Sequence, residues 1–121
     1  MAGEFSAALR DRNEITVTVT GRVSGREISN TVWFVTEDGT VGLLPLRGSD
    51  TAWFRNLRAH PDLRLSAGPA DVTVPATIIT DPARVGEIIA GFRAKYGADR
   101  IAAYYPKTDV AVLANVGAAA G

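Results

Sequence analysis

Hydrophobic and polar residues alternate from Ile15 to Thr20, with Ile15, Val17 and Val19 on one side and Thr16, Thr18 and Thr20 on the other. A period of two in β-branched residues predicts a strand with one buried face. Gly21 to Gly25 turns the chain, and a second strand is expected from about Arg26 to Thr36. Glu37-Asp38-Gly39-Thr40 then carries the Asp-Gly signature of a tight hairpin into a third strand, Val41 to Leu44.

Past Pro45 the period lengthens. Trp53, Asn56 and Leu57 fall at helical spacing behind Ser49 and Asp50, which suit an N-cap, and His60-Pro61 stops the helix. Leu63 and Leu65 flank Arg64 in a fourth strand, and Asp71 to Thr80 reads as a fifth in which Pro75 marks an edge or bulge. Asp81-Pro82 is an N-cap followed by proline at the first helical position, and Val85, Ile88, Ile89 and Phe92 form one stripe. Gly97 ends that helix, a further turn carries Ile101, Tyr104 and Tyr105, and Val110 to Leu113 is the final strand. Helices inserted among consecutive strands predict an α+β fold: a mainly antiparallel sheet or barrel of six or so strands with two or three short helices.

A chain of 121 residues, 46% hydrophobic and 21% charged, holds one core. The expected division is an N-terminal segment (1–13), one domain (14–116) and a disordered Gly/Ala tail (117–121), which has no side chain to offset the entropy of ordering. Thirteen basic residues balance thirteen acidic ones, so no net field draws the chain to nucleic acid. The absence of cysteine excludes thiolate chemistry, and a lone histidine, His60, argues against a metal site and reads as structural at a helix end. No apolar run is long enough to span a membrane, so a cytoplasmic protein is expected.

Gly21-Arg22-Val23-Ser24-Gly25-Arg26 puts two glycines, two guanidiniums and a hydroxyl within six residues, a set able to converge on a phosphate. It lacks the Gly-Lys-Ser/Thr of a Walker loop, and a glycine hairpin with solvated arginines explains it as well. Arg47-Gly48-Ser49 precedes a predicted helix, where free N–H groups favour an anion, though Asp50 beside it weighs against one. Trp33 faces away from Val32 and Phe34 on its strand and is a candidate wall for a planar ring, while Trp53 reads first as core. Tyr104 and Tyr105 offer phenols, one expected to pack and one to face a pocket as a proton donor.

Gly21-Arg22-x-Ser24-Gly25-Arg26, Val32-Trp33-Phe34-Val35, Arg47-Gly48-Ser49 and Trp53-x-x-Asn56-Leu57-x-Ala59-x-Pro61, in that order, resemble the deazaflavin-dependent nitroreductase family of flavin/deazaflavin oxidoreductases. The resemblance covers roughly residues 14 to 116. It implies a split β-barrel related to pyridoxamine 5'-phosphate oxidases that binds the deazaflavin coenzyme F420. It also implies hydride transfer to quinones, nitroaromatics or activated enones. By the same analogy Arg22, Ser24, Gly25 and Arg26 meet the phosphate and acidic tail of the cofactor, and Arg47, Gly48 and Ser49 lie near its phosphate or ring. Trp53, Asn56 and Leu57 form a helix over the site. The chain departs from the pattern at Ile28, where many relatives carry a basic residue, and at Thr31, near a common proline. FMN therefore stands as the alternative cofactor, and a non-catalytic flavin, deazaflavin or tetrapyrrole carrier as the alternative function. A small-molecule electron acceptor and a homodimer are the expected partners.

Overall fold

The alternating run forms β1 (Ile15–Thr20), with Val17 and Val19 fully buried. In the computed structural model, which describes Phe5, residues 7–9 and residues 12–117, it is followed by β2 (Glu27–Val32), β3 (Val35–Glu37) and β4 (Thr40–Leu43). Next come a 3-10 turn (Gly48–Asp50), α1 (Ala52–Ala59), β5 (Asp62–Ala67) and β6 (Ala70–Ile79). The chain finishes with α2 (Pro82–Tyr96), α3 (Ala98–Tyr104) and β7 (Ala111–Asn115). The strands make one antiparallel sheet in the order β2-β1-β5-β6-β7-β4-β3. It curls into the split barrel expected of an α+β chain.

The second expected strand, 26–36, is two strands, which corrects its extent. β2 pairs with β1 at one edge of the sheet, and β3 pairs with β4 at the other. Only Trp33 and Phe34 separate them, so one segment bends to join both edges and close the barrel. Pro75 marks the matching division in β6. Up to Pro75 the strand pairs with β5, and from Ala76 it pairs with β7. Lacking an N–H, proline sits where the ladder changes partner.

Two cores result. Phe34, Val41, Leu43, Phe54, Leu57, Leu63 and Leu65 fill the barrel, joined by Phe5 and Leu9 of the N-terminal segment. Val85, Ile88, Ile89 and Phe92, the stripe of α2, pack with Leu44, Ile101 and Tyr105 on the other face. Asp81 caps α2, its side chain accepting from the Arg84 N–H at 3.2 Å. Thr51 holds the N-cap position of the first helix without a side-chain capping bond, and Ser49 and Asp50 lie in the 3-10 turn ahead of it rather than at the cap. The expected disordered tail falls outside the described residues except for Gly117, whose N–H donates to the Gly39 carbonyl at 2.9 Å.

Candidate functional site

The bend at Trp33–Phe34 leaves Phe34 without sheet partners, and side chains from the end of α2 take their place. The Phe34 N–H donates to the Tyr96 hydroxyl at 3.0 Å, and Lys95 Nζ donates to the Phe34 carbonyl at 2.9 Å. The Tyr96 hydroxyl lies within hydrogen-bonding reach of the Asn13 and Phe34 carbonyls as well. Burial lowers the Lys95 pKa and raises that of Tyr96. Phe34 thereby points into the barrel while Trp33 points out of it, onto the Tyr96 ring, with centroids 4.4 Å apart and planes 8° from parallel. Tyr104 meets the same indole edge-on at 5.4 Å.

Outside this stack lies a mostly apolar cavity of about 610 Å³. Trp33 and Ile28 line one side, Trp53 and Asn56 of α1 another, and Tyr104 and Tyr105 a third. Five of the sequence candidates therefore come together: Trp33, Trp53, Asn56, Tyr104 and Tyr105. Trp53 is core, as expected for it, and also wall. The two tyrosines differ in burial, Tyr105 being 8% exposed and Tyr104 56%, and both line the cavity. Burial, helped by the nearby Tyr96, pushes the Tyr105 phenol up to about 12.

The glycine-arginine loop sits elsewhere. It is a tight turn in which the Gly21 N–H reaches the Arg26 carbonyl at 2.7 Å, and Gly25 adopts φ 72°, open to glycine without strain. Ser24 Oγ accepts from the Arg26 N–H at 3.2 Å, a contact within the turn. Arg22 reaches back across the structure: its N–H and guanidinium both donate to Asn56 Oδ1, at 3.1 and 2.6 Å. That satisfies a buried amide on the wall of the cavity. Ser24, Gly25 and Arg26 do not line the cavity.

At the other expected anion site the chain supplies its own carboxylate. Asp109 accepts from the Ser49 N–H at 2.9 Å and the Ser49 hydroxyl at 2.6 Å. Gly48 adopts φ 55°, a backbone region that favours glycine, and a Cβ there would push that carboxylate aside. Burial works to raise the Asp109 pKa, but the Ser49 bonds and Lys107 outweigh it and hold the group below the usual aspartate range. Lys107 also bonds Asp50 at 2.9 Å, lowering the Asp50 pKa. Arg47 is exposed, its N–H given to Thr51 Oγ1 at 2.8 Å. Together these contacts clip the segment after Tyr105 to the turn before α1. Sequence reasoning missed Tyr96 and Asp109. An aromatic four residues after Phe92 hinted at the first, and nothing local distinguishes the second.

No described helix is long and apolar enough to cross a membrane, and no group of described His, Asp or Glu residues is arranged to hold a metal. Among solved structures, an F420-H2 dependent reductase is 22% identical over 85% of this chain and 94% of that one, with a TM-score of 0.67. A protein described as a domain-swapped dimer is 22% identical over 86% of this chain and 81% of that one, with a TM-score of 0.68. The heme storage protein HutZ from Vibrio cholerae is 15% identical over 93% and 86%, with a TM-score of 0.69. At these identities the likeness establishes the fold. No curated protein sequence matches the chain. The model of the F420H(2)-dependent quinone reductase family matches residues 1–111. The chain belongs to that family, and is accordingly an oxidoreductase with coenzyme F420 as its cofactor.

Proposed function

We propose that the chain reduces a small electron-poor acceptor, a quinone foremost and nitroaromatics or enones as further candidates, in the cavity between Trp33 and Trp53. The observation that carries this reading is the aromatic-walled cavity itself, open on one side and lined by two phenols. The residues present fit the cofactor: a flat ring system suits the apolar faces of the two indoles, and Arg22 stands at the cavity margin through its bond to Asn56. When bound, the reduced coenzyme supplies the hydride, as is usual where a cofactor carries the chemistry.

The remaining work falls to the chain. Tyr96 holds Trp33 flat, so the ring site is formed in advance and little ordering is needed on binding. Leu44 and Leu46 help keep water from the inner wall. Tyr104, at the open side, gives a proton to the reduced acceptor, whereas the buried Tyr105 packs its ring against Trp33 and Phe92. Ser24, Gly25, Arg26, Arg47, Gly48 and Ser49 have no contact with this cavity, so any role in holding the cofactor is confined to its anionic end.

The deciding experiment is anaerobic mixing of protein and reduced F420 with menadione, a nitroaromatic or an enone. Acceptor-dependent oxidation, slowed when deuteride replaces the transferred hydride, is the expected result. Binding without faster oxidation by any acceptor would make the protein a cofactor carrier. The relative described as a domain-swapped dimer, together with the exposed β2 edge, supports a homodimer. Light scattering at micromolar concentration is expected to give twice the chain mass.

A further inference from the structure

The far side of α1 carries a second cavity, about 500 Å³, lined by Arg22, Ser49, Asp50, Arg55, Arg58 and Ala59. Three guanidiniums therefore face one space. The lone carboxylate among them, Asp50, is already engaged by Arg55 at 3.3 Å and Lys107 at 2.9 Å. Arg58 lies 5.9 Å from the Phe54 ring and has no carboxylate partner among the described residues. The two cavities share a boundary, since Asn56 lines the apolar one, Arg22 lines the cationic one, and the two residues are hydrogen-bonded. Spacing along the helix explains the division: Trp53 and Asn56 turn to the first cavity, while Arg55 and Arg58, three residues apart, turn to the second.

We infer that Arg55 and Arg58, with Arg22 at the boundary, form the binding site for the anionic end of the coenzyme, its phosphate and carboxylate tail. This rests on the reading that the ring occupies the apolar cavity. A ligand apolar at one end and polyanionic at the other matches an apolar cavity joined to a cationic one. Planar guanidiniums suit phosphate and carboxylate because they offer two parallel donors.

The test compares binding, read by quenching of the deazaflavin's own fluorescence, of complete F420 and of its ring-ribityl fragment, which lacks phosphate and tail. The Arg55→Gln/Arg58→Gln variant is expected to lose at least about tenfold in affinity for F420 and nothing for the fragment. The Arg55→Lys/Arg58→Lys variant is expected to recover part of the loss, and added salt to weaken F420 binding more in wild type than in the Gln variant. Both side chains are exposed, so an unchanged melting temperature is the accompanying control. Equal loss for both ligands, or no loss for F420, overturns the site. Trp33→Ala separates the underlying reading: it should weaken both ligands. If it weakens neither while the arginine effect persists, the ring placement fails and the anion site stands.

Discussion

Tyr104 and Tyr105 are neighbours in sequence with opposite environments, and their chemistry follows from the difference. A general acid works best when its pKa is near the operating pH, and each proton-transfer role is typically worth about 10²-fold or more. With its pKa raised to about 12, Tyr105 is the poorer acid. Tyr104→Phe is expected to keep F420 affinity and lose about 10²-fold in turnover, while Tyr105→Phe changes turnover far less. Steady-state rates beside a binding titration check both, and the reverse order would exchange the roles. Tyr105 also makes stability depend on alkaline pH. Its pKa is higher folded than the ordinary tyrosine value of 10.0, so its contribution is complete below pH 10.0 and disappears as pH rises through about 12. Denaturant midpoints should fall across that interval in wild type and fall less in Tyr105→Phe.

Among the elements, α2 was the most legible in sequence and α1 the least informative about its neighbours. Asp81, Pro82 and the Val85-Ile88-Ile89-Phe92 stripe are local signals, each complete within one helix, and all appear in the structure. Ile88→Ala or Phe92→Ala is accordingly expected to cost about 2 to 5 kcal/mol, since both side chains are buried. Arg84→Ala loses only an exposed ion pair with Glu87 and should stay within about 0.5 kcal/mol. Chemical denaturation of the three variants distinguishes these outcomes, and equal effects would contradict the buried stripe. In α1 the hydrophobic spacing revealed the helix, but not that its two polar-side arginines share a cavity with Arg22, thirty-odd residues earlier. Likewise Ser49 meets Asp109 only because the fold brings the segment ahead of β7 beside the 3-10 turn. Partners that distant in sequence leave no periodicity to read.

At the scale of the whole molecule, the strand alternations disclosed a barrel, and the ordered motifs disclosed its family, but the closure itself was hidden. Residues 26–36 read as one strand because β-branched and aromatic residues run from Thr31 to Thr36 with no glycine or proline to mark a break. What divides them is a tertiary demand: the segment must reach both edges of the sheet, so its backbone loses ladder partners at the bend. Tyr96 and Lys95 replace those partners from sixty residues away, and the same contact sets Trp33 on the cavity wall. Closure and site formation are thus one event. Tyr96→Phe keeps the stack but leaves the Phe34 N–H without its acceptor, a loss typically costing about 1 to 3 kcal/mol. Tyr96→Leu also removes the stack, worth a further 0.5 to 1.5 kcal/mol or about that. Denaturation should therefore rank wild type above Phe above Leu, while F420 affinity falls in Leu and holds in Phe. Affinity lost equally in both variants would mean that the backbone clamp alone positions Trp33, and affinity retained in both would separate barrel closure from the site.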